Sequence, residues 1–206
     1  MAALTREQLW NQLKSGEILP VYVLFGVETQ LRDKAVKAIA DKCFSEGDLR
    51  DFNEDEFSLN SEENLQRAFA AANQLPMMAS RRVIRITDVR VTAGGKNDTV
   101  KEEHEPILRA YLENPSPTST VIFISDELNG VKKMGKLLRA QAGAVEFSIL
   151  DDEELAKVAR RGFSDNGIKI DESALRYLVS LVGPNVRRLT TEVEKLSAAA
   201  MSEAVV

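Results

Sequence analysis

Strand-like apolar runs alternate with amphipathic segments through the first 149 residues, and this alternation constrains the fold more than any other feature. The stretch PVYVLFGVETQLRDKAVKAIA, residues 20–40, shows it best. Val21 to Phe25 reads as a strand, Gly26 as a turn, and the segment from about Glu28 to Cys43 as a helix with Leu31, Ala35, Ala38, Ile39 and Cys43 on one stripe. A helix precedes it, with Thr5 and Gln8 at capping-box spacing, Leu9, Trp10 and Leu13 apolar, and Gly16 as the stop. A second strand is expected near DLRDFNEDEF, through Leu49, Phe52 and Phe57. Ser61 then caps a helix carrying Leu65, Ala68, Phe69 and Ala72, which Pro76 prevents from continuing. RRVIRITDV is the third strand and TVIFIS the fourth, the latter continuous enough to be buried on both faces. Between them lie a Gly94-Gly95 loop and the helix EPILRAYLEN. GVKKMGKLLRAQAG is a helix with Val131, Met134, Leu137 and Leu138 in register, and AVEFSI is the fifth strand.

This order predicts an α/β domain over 1–149, a five-stranded parallel sheet with helices on both faces. After Ile149 the pattern changes to three helices without a strand, starting near Asp151, Asp171 and Asn185, so 150–206 reads as a small helical domain. The chain stops within or just after the last helical pattern, as a fragment of a longer protein would.

Bulk properties remove several function classes. Formal charge is -5, from 27 basic and 32 acidic side chains among 206 residues, which gives no global case for nucleic acid or an anionic membrane. A single cysteine, Cys43, excludes an internal disulfide and a thiolate metal cage, and the cytosol is the expected compartment. No apolar run approaches the ~20 residues of a membrane span. Cys43 sits on a helix stripe and reads as core. His104, among Glu102, Glu103 and Glu105, reads as solvated and has no second histidine to share a metal.

The strand–glycine–helix turn at Gly26 has the outline of a phosphate-binding loop. The pattern G-x-x-x-x-G-K-[ST] uses glycines so that backbone N–H groups can wrap phosphate, a lysine to neutralise it and a hydroxyl to hold Mg²⁺. Started at Gly26, it places Leu31 at the second glycine, Arg32 at the lysine and Asp33 at the hydroxyl. Leu31 adds bulk, Asp33 adds repulsion, and Arg32 keeps charge with a different shape. A degenerate loop is therefore expected, with no nucleotide cofactor. VIFISDE resembles a Mg²⁺-binding strand end, but Asp126 and Glu127 read more simply as loop residues. Two alternatives stay open: a divergent ATPase using Gly26, Arg32, Asp126 and Glu127, or a DNA-binding module using Arg81, Arg82, Arg85 and Arg90.

NQLPMMASRR, residues 73–82, is the other informative stretch. Loop tips normally carry polar residues, whereas Met77 and Met78 are adjacent and large. In an extended segment they cannot both face one core. Either they close the end of the sheet, or at least one projects outward as an adaptable anchor for a partner.

Taken together, PVYVLFGVETQLRDKA, LPMMASRRVIRITD, YLENPSPTSTVIFISD, KLLRAQAGAVEF and ALRYLVSLVGPNVRRLTTEVEKL resemble the delta subunit of the bacterial DNA polymerase III clamp loader, in family order over nearly all of the chain. The resemblance implies an AAA+-like domain, a three-helix lid and a collar domain that would lie outside this chain. It implies no catalysis, with ATP hydrolysis left to partner subunits of the polymerase III holoenzyme. It implies binding to the beta sliding clamp, favouring its opened form for loading onto DNA during replication. The other partners implied are the ATPase and delta prime subunits, with DNA met only within the complex. The clamp-gripping element would fall on Met77 and Met78, with Leu75 adjacent, although many relatives carry leucine or phenylalanine there. Three features fit a lost ATPase. The carboxylate pair ends the fourth strand here and the third in ring-forming ATPases. GPNVRR spaces Gly183 and Arg187 one residue too far for the phosphate-sensing motif, and RAQAG stands where a Ser-Arg-Cys finger would be.

Overall fold

A computed structural model describes residues 4–61 and 63–203. It contains α1 (Arg6–Ser15), β1 (Val21–Phe25), α2 (Thr29–Lys42), β2 (Glu54–Ser58), α3 (Asn64–Ala72), β3 (Arg82–Thr87), β4 (Arg90–Val91), α4 (Glu105–Glu113), β5 (Ser119–Ser125), β6 (Glu127–Leu128), α5 (Lys133–Arg139), β7 (Gly143–Glu146), α6 (Asp152–Asp165), α7 (Glu172–Val182) and α8 (Val186–Glu203). The last three residues of the chain lie outside the described residues.

Five strands form one parallel sheet in the order β2-β3-β5-β1-β7. The central strands β1 and β5 pair from Val21–Val121 to Phe25–Ser125. Because side chains alternate along a strand, each strand supplies two layers. Val23, Ile84, Ile86 and Phe123 pack against α3, α4 and α5 residues such as Phe69, Leu108 and Leu138. Tyr22, Leu24, Val83 and Ile122 pack against Leu9, Ala35 and Ile39 of α1 and α2. The sheet is thus covered on both faces, as the alternation of elements requires. The edge strand β2, with Glu54, Asp55 and Glu56, is only partly buried, and its charge discourages pairing with another chain.

Local chemistry places most element ends. Thr5 and Gln8 form the reciprocal capping box of α1. Asp151 and Glu154 do the same for α6, and Asn185 Oδ1 accepts the Arg188 N–H at the start of α8. Some expectations differ. Leu49 and Phe52 precede β2, because residues 50–52 form a 3-10 turn and only Phe57 lies in the strand. Ser61 is not the cap of α3: the helix begins at Asn64 without a side-chain cap, and Asn64 Nδ2 instead donates to Ser58 O. α5 starts three residues late, because Asn129 Oδ1 accepts the N–H groups of Val131 and Lys132 and holds them in a turn. Val131 is exposed as a result. The pair β4–β6 is too short to leave a periodic signal.

The chain divides into two compact units after Phe147. In the second, α6, α7 and α8 bury Leu155, Phe163, Leu175, Val179, Leu189 and Val193. Gly162 of α6 lets α8 approach closely, since a Cβ there would lie 2.9 Å from Val193 Cγ1.

Candidate functional site

The turn after β1 occupies the carboxyl edge of the sheet, beside the end of β5. Open α/β sheets bind ligands at that edge, where the strand order reverses. Its geometry is that of a filled turn. Gly26 has φ 120°, and a Cβ on it would stand 2.4 Å from Phe147 O, so close backbone approach alone demands glycine. Gly26 N–H donates to Ser125 O at 3.0 Å, Glu28 N–H to Phe147 O at 2.9 Å and Thr29 N–H to Val27 O at 3.0 Å. A phosphate cradle needs such donors converging on open space; here they are engaged.

Arg32 completes the filling. It is buried, and its Nη1 donates to Gly26 O at 2.9 Å and Ser125 O at 2.8 Å, with Asp126 Oδ1 2.6 Å away. The residue aligned with the phosphate-binding lysine is therefore paired with the carboxylate that resembled a Mg²⁺ ligand. Asp33 lies solvent-exposed with Oδ1 3.9 Å from Arg32 Nε, and Leu31 packs against the α1–α2 layer. The Arg139 guanidinium stacks over Phe25 at 4.4 Å. These residues fit a nucleoside triphosphate with its Mg²⁺ poorly. Arg32 Nη1 is engaged by Gly26 O, Ser125 O and Asp126, and the N–H groups of Gly26, Glu28 and Thr29 have carbonyl partners. Asp33 and Asp126 bring negative charge beside the turn, although Arg32 Nε is buried without a hydrogen-bond partner.

The arginines near β3 are likewise engaged. Arg82 is buried and donates to Asp55, Arg85 lies within 3.4 Å of Glu54 and of Glu56, and Arg90 donates to Asn60 at 2.6 Å. Arg81 donates to Ser119 O and Thr120 Oγ1. They act as links between strands and loops rather than as a free basic face. Cys43 is buried, and burial pushes its thiol above the usual range, away from nucleophilic use. His104 Nδ1 accepts the Lys101 N–H, and among the described residues no cluster of acidic, histidine or cysteine side chains could hold a metal.

The loop from α3 to β3 differs in kind. Leu75 is 80% exposed, Met77 51% and Met78 74%, three large apolar side chains within four residues. Their backbone is nonetheless fixed. Asn53, fully buried, accepts the Met77 N–H through Oδ1 at 2.7 Å and donates through Nδ2 to Met77 O and Leu49 O, each at 2.7 Å. Leu49 N–H reaches Met78 O at 3.4 Å. Met78 adopts φ 48°, the left-handed region. That conformation costs a residue with a Cβ about 1–2 kcal/mol and tends to persist at functional positions. Phe52, exposed, lies on the turn that carries Asn53. Asn53 escaped the sequence reading because its partner is 24 residues distant and its only local signal is that of a turn residue.

A family model described as DNA polymerase III, delta subunit, matches residues 22–148. The chain belongs to this family. The Bacillus subtilis DNA polymerase III subunit delta is 28% identical over 190 residues, covering 91% of this chain and 54% of that protein. A probable delta subunit from Aquifex aeolicus is 29% identical over 99 residues, 47% of this chain and 28% of that one. Among solved structures, the Bacillus subtilis DNA clamp loader delta protein matches with a TM-score of 0.73 and 26% identity, over 94% of this chain and 57% of its own. The replication initiator DnaA bound to AMPPCP and single-stranded DNA matches with a TM-score of 0.51 at 14% identity, over 92% and 59%, a likeness of fold alone. The chain thus spans about half the length of the Bacillus protein. The family and the five-stranded parallel sheet with helices on both faces agree with the sequence reading.

Proposed function

We propose that this chain is the clamp-gripping, non-catalytic part of a clamp-loader delta subunit. Residues up to Phe147 are the AAA+-like body, and the three helices after it are the lid. Leu75, Met77 and Met78 enter an apolar pocket on a ring-shaped sliding clamp. The observation that carries this reading is the exposed tip itself, on a fixed backbone, in a chain of this family.

Burying two methionine side chains contributes roughly 3–6 kcal/mol before the costs of association. A protein partner favours the opened ring only by binding it better than the closed one. The tip must therefore fit a clamp surface whose shape differs between the two states. The filled turn at Gly26 supports leaving ATP binding and hydrolysis to neighbouring subunits of the loader, which are partners in this reading together with the clamp.

Changing Met77 and Met78 together to alanine is expected to weaken capture by immobilised clamp at least tenfold. The thermal midpoint should stay within a few degrees of wild type, because both side chains are exposed. Undiminished capture by a folded double variant sinks the reading.

A further inference from the structure

We propose that Asn53 is the positioning residue of the clamp-gripping tip, holding its backbone so that the methionines meet the partner already ordered; this rests on the reading of the tip given above. Every polar group of Asn53 has a partner. Its backbone N–H donates to Arg50 O and its carbonyl accepts the Val83 N–H, each at 2.8 Å, which ties it into the start of β2 and β3. Its side-chain amide makes a two-point contact with Met77, accepting the N–H and donating to the carbonyl as a neighbouring strand would. The second amide hydrogen reaches Leu49 O. Only a primary amide on a short side chain offers one acceptor and two donors in this arrangement. Aspartate lacks the donors, and glutamine is one methylene longer.

The arrangement has a consequence for binding. An apolar loop free in solution must be ordered when it docks, which subtracts from affinity, whereas one held in place avoids most of that loss. The same hold keeps Met78 left-handed, with its side chain out in solvent instead of collapsed onto the domain. Asn53 is fully buried and cannot itself touch the clamp, so its effect must pass through Met77 and Met78.

The test compares four proteins: wild type, Asn53→Ala, the Met77→Ala/Met78→Ala pair and the triple variant. Capture by immobilised clamp is measured alongside thermal midpoints. Asn53→Ala is expected to weaken capture about tenfold in the native background and less than about twofold in the double-alanine background, while lowering the midpoint equally in both. An unchanged capture by Asn53→Ala beside an impaired double-alanine protein overturns the positioning role and leaves the tip reading intact. An equal loss in both backgrounds overturns it as a general effect on the fold. Undiminished capture by the double-alanine protein defeats both. Hydrogen exchange on the wild type needs no variant: the Met77 amide should be protected far beyond an open loop, and free exchange there also refutes the role.

Discussion

Met78 joins two properties that are each uncommon, a large apolar side chain left in solvent and a left-handed backbone. Glycine would relieve the backbone at that position. Its gain from relief and its loss from greater freedom in the unfolded chain oppose each other at about 1 kcal/mol each. Met78→Gly should therefore unfold in urea within about 1 kcal/mol of wild type, yet bind clamp more weakly. A loss of several kcal/mol would mean that the side chain supports the fold. Asn53 is the converse, buried and fully bonded. A buried amide without partners costs about 1–3 kcal/mol, so its position is defined as firmly as that of any apolar core residue.

The turn joining β1 to α2 is built as a structural joint. Arg32 bridges the carbonyl ends of β1 and β5 and meets Asp126, holding that edge of the sheet together. Its removal leaves two carbonyls without their charged donor, and hydrogen bonds of that kind contribute about 1.5–3 kcal/mol each. Arg32→Ala should lower stability by about 3–6 kcal/mol, measured by chemical denaturation. Asp126→Asn should cost under about 1 kcal/mol, since Asp126 is largely solvated. Isothermal titration of the native chain with Mg-ATP should reveal no site tighter than millimolar. A micromolar site would favour the ATPase alternative.

Alkaline pH tests how the sheet and its helices hold together. Tyr111 stacks on Phe69 at 4.5 Å between α4 and α3, and burial pushes its phenol up to about 12. Burial also raises Tyr22, beneath the opposite layer. The folded state then keeps a proton that the unfolded chain releases near pH 10. Stability contributed by Tyr111 is whole below pH 10 and is lost as pH rises toward 12, by about 1.4 kcal/mol per unit. Urea midpoints measured from pH 9 to 12 should fall accordingly, and Tyr111→Phe should flatten part of that slope. An identical slope in the variant would place the alkaline transition elsewhere.

Periodic burial made the strands and helices readable, because strand and helix impose different spacings on apolar residues regardless of what they pack against. Val21–Phe25 and Ser119–Ser125 lie where their apolar runs put them, as do the caps at Thr5 and Asp151. The mismatch of Leu31, Arg32 and Asp33 with a phosphate loop was legible for the same reason: it depends on residue type at fixed spacing. Whether Met77 and Met78 closed the sheet or faced solvent was not, since that depends on what backbone lies opposite them. Folding brings Asn53 to Met77 and Asp126 to Arg32, across 24 and 94 residues of chain. Those two long-range pairings, which no local pattern encodes, fix the backbone of the apolar tip and tie the turn after β1 to the end of β5.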